Sequence, residues 1–216
     1  MIKAIIFDFD GVILESASIK TDAFAKMAEA YPAEVRGKFM AFHMANMGIS
    51  RKVKFQYLLE TLLGESCTEE KLAALGQSFS EIVHEKILAA QFVPGAKEFL
   101  ETAYHKLHFY IASGTPQEEM RNIAAERGIA KYFKAVYGSP ATKEEIAERI
   151  IREQEYGKKE VLFVGDADTD LLAAKHCGIH FVGRSTPGNV GAFREVKDKI
   201  DDLRQLDKIC ARFEAR

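Results

Sequence analysis

The chain has 216 residues, 47% of them hydrophobic, with 30 basic against 32 acidic side chains and a formal net charge of -2, which excludes a strongly charged nucleic-acid or anionic-membrane surface. A chain of this length builds a real core, burying roughly 70% of the surface its unfolded form exposes, and it carries no apolar stretch approaching a membrane span. The first strand follows Met1 too closely for a secretory leader, and Cys67, Cys177 and Cys210 stand far apart in no metal-ligand spacing, so free thiols, a cytoplasmic location and a small-molecule partner are expected.

The run from Ile2 reads as a strand whose Ile5, Ile6 and Phe7 are too uniformly apolar for a half-exposed position, which suits a strand covered on both faces of a parallel sheet. Asp8 and Asp10 stand at its C-terminal end, where open α/β sheets bind ligands, and Gly11 lets the chain turn sharply. By itself this pair is equally an acidic turn, so later segments must decide its meaning. From about Ser16 to Ala90 the chain reads as helix throughout. Ala17 to Ala30 is the first helix, ended by Pro32; Ala33 towards Met47 is the second, closed by Gly48. Ser50 caps a third, whose Val53, Phe55, Leu58, Leu59, Leu62 and Leu63 form an apolar face, and Thr68 opens a fourth running through Ile87.

Past Phe92 the pattern alternates between helix and strand, as in βαβ units. Helix Ala96 to Lys106 leads to strand Phe109 to Ala112, which ends at Ser113, Gly114 and Thr115. Pro116 starts a helix through Glu126, and Phe133 to Tyr137 is the next strand. A helix from about Thr142 to Tyr156 precedes strand Val161 to Val164, which ends in Gly165 and Asp166. Helix Leu171 to Cys177 and strand His180 to Val182 complete five strands. The expected fold is α/β: a doubly wound parallel sheet formed by residues 1–14 and 92–216, with a helical unit inserted at 15–91.

Right-handed crossovers bring the C-terminal ends of these strands to one edge, which then gathers Asp8, Asp10, Ser113, Thr115, Asp166 and Asp170, with Lys143 at the start of a helix. One carboxylate pair at ~4 Å and an effective dielectric near 20 costs about 4 kcal/mol, so a positive group must sit among them. An all-oxygen set favours a hard cation such as Mg²⁺. Free N–H groups and a hydroxyl at Ser113, Gly114 and Thr115 favour an anion, and Lys143 adds a point charge. Metal, anion pocket and surplus carboxylate together describe phosphoryl transfer through an aspartyl-phosphate.

Asp8-Phe9-Asp10-Gly11-Val12 resembles the first motif of the haloacid dehalogenase superfamily, Ser113-Gly114-Thr115 its second, Lys143 its third, and Gly165-Asp166 with Asp170 its fourth. All four occur in the family's order, and the helical insert resembles the C1-type cap of the phosphoglycolate phosphatase and β-phosphoglucomutase-like group. The resemblance implies that Asp8 is the nucleophile and Asp10 the general acid and base. It further implies that Asp8, Asp10 through its carbonyl, Asp166 and Asp170 form the Mg²⁺ site, while Ser113, Gly114, Thr115 and Lys143 hold phosphate. Lys143 precedes Glu144 where relatives often carry proline; its rivals Lys158 and Lys159 fall at the wrong end of a strand. Lys20 stands where mutase-like relatives carry histidine, which tilts the expectation from phosphomutase to phosphatase. Glu15, Lys20 and Arg51 are candidate specificity residues, Asp168 reads as a helix N-cap, and His43 as a packed histidine. The expected activity is a Mg²⁺-dependent phosphomonoesterase acting on a small metabolite such as phosphoglycolate or a sugar phosphate. A sugar phosphomutase is the alternative, followed by a dehalogenase or a phosphoryl-accepting module without turnover.

Overall fold

Strand β1 (Ala4–Phe7) has every side chain buried, and this decides its place at the middle of the sheet. In a computed structural model that describes residues 1–186, 193 and 196–214, it lies between β2 (His108–Pro116) and β4 (Val161–Gly165). The order is β3-β2-β1-β4-β5-β6, with β3 at Phe133–Ser139, β5 at His180–Arg184 and β6 at Lys199–Ile200. All pairs are parallel; Phe7 stands beside Ile111 on one side and Val164 on the other. Alternate residues serve opposite faces. Ile5, Phe7, Phe109, Ile111, Leu162 and Val164 belong to one core, and Ala4, Ile6, Tyr110, Ala112, Val161 and Phe163 to the other.

Helices cover both faces. The second core takes Ile146, Ala147 and Ile150 from α7 (Lys143–Glu153) and Ala173, Ala174 and Cys177 from α8 (Asp168–Cys177). The first core takes residues of α5 (Ala96–Ala103), α6 (Gln117–Glu126) and α9 (Leu206–Glu214). The sequence pattern predicts five strands; the sixth, β6 (Lys199–Ile200), is two residues long and pairs beside Gly183 and Arg184, too short to leave a periodic signal. Residues 187–192, 194–195 and 215–216, within the expected core unit, lie outside the described residues.

Between β1 and α5 run α1 (Ala17–Ala28), α2 (Ala33–Ala45), α3 (Arg51–Gln56), which widens into a π turn over Tyr57–Leu62, and α4 (Glu69–Ala89). They close on an aromatic cluster in which Phe24 lies 5.9 Å from Phe39, 5.7 Å from Phe55 and 4.5 Å from Phe79, ring centre to ring centre. Thr68 caps α4 as expected, its hydroxyl accepting the Lys71 N–H at 3.3 Å. The expected apolar face of α3 needs correction. Val53 is 47% exposed, whereas Lys54 is 3% exposed and turned inward beside Phe55. The chain enters and leaves the insertion side by side: Leu14 bridges Phe92, Glu15 N–H donates to Gln91 O at 2.9 Å, and Val93 N–H donates to Ile13 O at 3.0 Å.

Candidate active site

The strand order reverses between β1 and β4, so the carboxyl ends of these two strands open a crevice, where doubly wound sheets bind ligands. Asp8 follows β1 and Asp166 follows β4, and both are buried. Phe9 N–H donates to Asp8 Oδ1 at 2.7 Å, which fixes the carboxylate's orientation. At Gly11, φ is +78° and a Cβ would stand 2.1 Å from Asp166 Oδ2; only glycine lets the turn press against the second carboxylate.

Lys143 is delivered by the N-terminus of α7, held by a capping box in which Thr142 Oγ1 accepts the Glu145 N–H at 3.2 Å and Glu145 accepts the Thr142 N–H at 2.8 Å. A cation at a helix N-terminus opposes the macrodipole. Here two carboxylates overcome that: Lys143 Nζ lies 2.9 Å from Asp8 Oδ2 and 2.6 Å from Asp170 Oδ1. Asp170 Oδ2 also accepts the Ala167 N–H at 3.0 Å. Both Asp170 oxygens are thus engaged, and its strongest contact is to Lys143.

One oxygen from each of Asp8, Asp166 and Asp170 lies within 4.8 Å of the others, all three side chains buried. Burial, with Asp170 and Asp10 nearby and only Lys143 opposing, raises the Asp8 carboxyl to about 7. Burial and the Asp8 and Asp170 charges push Asp166 well above the ordinary carboxylate range, and burial raises Asp170 despite Lys143. Burial would lower the Lys143 ammonium, but Asp170 and Asp8 outweigh it and raise it. Burial is the main cause of the rise at all three carboxyls, and at Asp8 and Asp166 neighbouring carboxylates add to it. A compact, all-oxygen, electron-rich set of this kind fits a hard divalent cation.

The expected site residues fall in three groups. Asp8, Asp10, Lys143 and Asp166 line one cavity together with Gly114, Thr115, Lys20 and Arg51. Ser113 and Asp170 are buried directly behind it. Glu15 does not line it: its carboxylate is forked by Arg184, Nη1 at 3.0 Å and Nη2 at 2.6 Å, while Arg184 Nη1 also donates to Gly11 O at 2.7 Å. This ties the end of β5 to the turn after β1 and to the entrance of the insertion.

Several expected details change. Thr115 stands just before α6, which begins after Pro116 without a side-chain cap. Its N–H donates to Ser113 Oγ at 3.1 Å instead of facing the cavity, and its hydroxyl accepts from Lys20 Nζ at 2.6 Å. Asp168 is not the N-cap of α8; Ala167 holds that position, and Asp170 reaches back to its N–H. Lys20 also binds Asp10 Oδ2, whose other oxygen accepts the Ser16 hydroxyl at 2.7 Å. Arg51 is turned onto Glu119 of α6, Nη1 to Oε1 at 3.1 Å and Nη2 to Oε2 at 2.7 Å, with Ser80 at 2.9 Å.

Two residues with structural or chemical consequence escaped the sequence reading, Arg184 and Lys54. The signal for Lys54 was present: Arg51, Lys54, Phe55 and Leu58 share one helical face, so an inward Arg51 carries Lys54 with it. Arg184 closes a strand on the sheet edge already identified, but a lone arginine there has no pattern of its own.

A sequence model of the haloacid dehalogenase-like hydrolases matches residues 5–184. A phosphoglycolate phosphatase of Vibrio parahaemolyticus is 30% identical over 202 residues, covering 88% of this chain and 86% of the relative. A phosphorylated carbohydrates phosphatase of Thermotoga maritima is 25% identical over 187 residues, 82% of either chain. Among solved structures, a β-phosphoglucomutase of Clostridium difficile superposes with a TM-score of 0.77 at 19% identity, over 100% of this chain and 98% of that one, a likeness of fold.

Proposed function

Because the chain belongs to the haloacid dehalogenase-like hydrolase family, as a hydrolase of the phosphatase type, we propose that it is a Mg²⁺-dependent phosphomonoesterase for a small phosphorylated metabolite, working through an aspartyl-phosphate on Asp8. The observation that carries this reading is the buried contact of Asp8 with Lys143 at 2.9 Å inside a three-carboxylate cluster. Asp8 Oδ attacks phosphorus and the bond from phosphorus to the alcohol oxygen breaks. Asp10 gives the departing oxygen its proton. A water then attacks the phosphoryl group and returns a proton to Asp10, the bond from phosphorus to Asp8 breaks, and inorganic phosphate leaves.

Asp8, Asp166 and Asp170, with the Asp10 main-chain carbonyl, would hold Mg²⁺. When bound, the ion supplies charge that keeps the Asp8 carboxylate ionised and neutralises the phosphoryl oxygens. Lys143 faces the same oxygens from the helix end, and Ser113 and Gly114 bound the phosphate pocket at the end of the sheet. Lys20 and Ser16 hold Asp10 in one orientation, so its proton transfers are aimed at a fixed point. The helical insertion at 15–91 acts as the lid that excludes water.

The test is phosphate release from a panel of esters with and without Mg²⁺. The expected result is release from at least one small ester that EDTA suppresses, with Asp8→Asn lowering it by about 10³-fold or more while circular dichroism is unchanged. Undiminished turnover by Asp8→Asn, or activity indifferent to EDTA, would overturn the reading.

A further inference from the structure

The insertion supplies a second part of the lining of the cavity over Asp8: Phe24, His43, Lys54 and Phe79, with Lys20 and Arg51. Two of these three cations already have carboxylates, Lys20 on Asp10 and Arg51 on Glu119. Lys54 has no carboxylate partner among the described residues. It is 3% exposed, its Nζ lies 2.9 Å from His43 Nδ1, and it sits 5.0 Å from the centre of the Phe24 ring.

His43 does not supply the counter-charge. Burial, then the Lys54 charge, holds its imidazole down at about 3, so the ring is neutral. With Nδ1 accepting from Lys54, Nε2–H is left to donate to Thr21 Oγ1 at 3.0 Å, and that hydroxyl donates to Ala17 O at 3.3 Å. The chain His43, Thr21, Ala17 therefore orients the lysine and ends in the backbone. It occupies one of the three ammonium N–H bonds and leaves two for a guest. An ammonium taken out of water without a counter-ion is costly, so an anion placed beside it would be strongly favoured.

We infer that Lys54 is the receptor for a second anionic group, a carboxylate or second phosphate, carried by the alcohol part of the substrate. The substrate class is then a small ester with an anion at each end, its phosphate at Asp8 and its other anion at Lys54. This rests on the proposed phosphatase reading, which assigns the Asp8 end to the phosphate. Burial, then the Lys20 and Lys143 charges, pull the Lys54 ammonium down to about 7, and the charge of an entering anion works against that lowering.

The experiment compares kcat/KM for 2-phosphoglycolate and for ethane-1,2-diol bisphosphate with that for 2-hydroxyethyl phosphate, which keeps the chain length and loses the second charge. Preference for one of the two anionic esters by about 10- to 100-fold, mainly in KM, is expected, and which of them wins identifies the anion. In Lys54→Met the ratio falls to within about threefold of unity, while Lys54→Arg keeps part of it; being a ratio, it does not depend on the fraction of folded protein. Lys54→Gln replaces the methionine variant if that does not fold. A wild-type ratio near unity, or a ratio that survives Lys54→Met, overturns the inference. If no ester is hydrolysed, the phosphatase reading fails by itself, and calorimetry on Asp8→Asn still decides: tighter binding of an anionic ester than of 2-hydroxyethyl phosphate, abolished by Lys54→Met, supports the Lys54 receptor, and equal binding rejects it.

Discussion

Lys143 and Lys54 are both buried lysines, yet their surroundings drive them in opposite directions. Lys143 touches two carboxylates and is raised; Lys54 touches an imidazole and two other cations act on it, so it is lowered to about 7. Replacing Lys143 with Met removes the group that holds the Asp8 and Asp170 carboxyls down, so both rise further and are buried charges without a cation only above neutral pH. Urea denaturation is expected to report a loss of about 3 kcal/mol at pH 9, shrinking towards pH 6 as the carboxyls take up protons. Lys54→Met should do the reverse. With the folded lysine at about 7 and the unfolded one at 10.5, the unfolded chain binds more protons between those values, so wild-type stability from this group rises with pH across that window. The cost of the charged lysine is fully present below pH 7 and disappears above 10.5. The variant should therefore be more stable than wild type at pH 6 to 7, by a few kcal/mol at most, with the gap narrowing towards pH 10 in urea titrations. A gap that does not change with pH would mean that packing, not charge, sets the effect.

At the scale of elements, the insertion is held over the sheet by few and specific contacts. Arg51 of α3 and Ser80 of α4 meet Glu119 of α6, Lys20 of α1 meets Asp10 and Thr115, and Arg127 reaches back to the Leu88 carbonyl. The backbones come close at Gly114, where a Cβ would stand 2.7 Å from the Gly48 carbonyl oxygen and 3.3 Å from Ile49. A methyl group there meets main chain rather than a flexible tip. Gly114→Ala should accordingly leave the sheet intact while holding the insertion away from it. The expected outcome is a KM raised by about tenfold, with a larger radius of gyration in small-angle scattering and little change in melting temperature. An unchanged radius would show that the loop around Gly48 yields instead.

Across the whole molecule, four carboxylates, Asp8, Asp10, Asp166 and Asp170, converge on one crevice, and among the described residues Lys143 and Lys20 pair with them. A cation bound by the folded state alone must stabilise it by mass action, about 2.7 kcal/mol when present at 100 times its dissociation constant. Millimolar MgCl₂ should raise the melting temperature in calorimetry, and Asp166→Asn should lose most of that rise. No rise in the wild-type protein would remove the metal from the site. No described helix is long and apolar enough to cross a membrane.

Much of this was legible in the chain. The buried run before Asp8, the alternation of helix and strand after Phe92, and carboxylates at strand ends are local patterns, because strand period, helix period and turn chemistry act over a few residues. They were enough to predict an α/β parallel sheet and to bring Asp8, Asp10, Asp166 and Lys143 to one edge. What pairs with what was not legible. Glu15 reached Arg184, Arg51 reached Glu119, and Thr115 turned to Lys20, since each pairing joins residues far apart in sequence and depends on how the insertion settles on the sheet. Lys54 is the sharpest instance: in sequence it is one lysine among the charges of a short helix, and only the packing of Phe24, His43 and Phe55 around it removes it from water and turns its ammonium to the cavity. Periodic burial and strand-end carboxylates are set by the sequence alone; partners and desolvation, which decide the charge and role of each group, are set by tertiary contact.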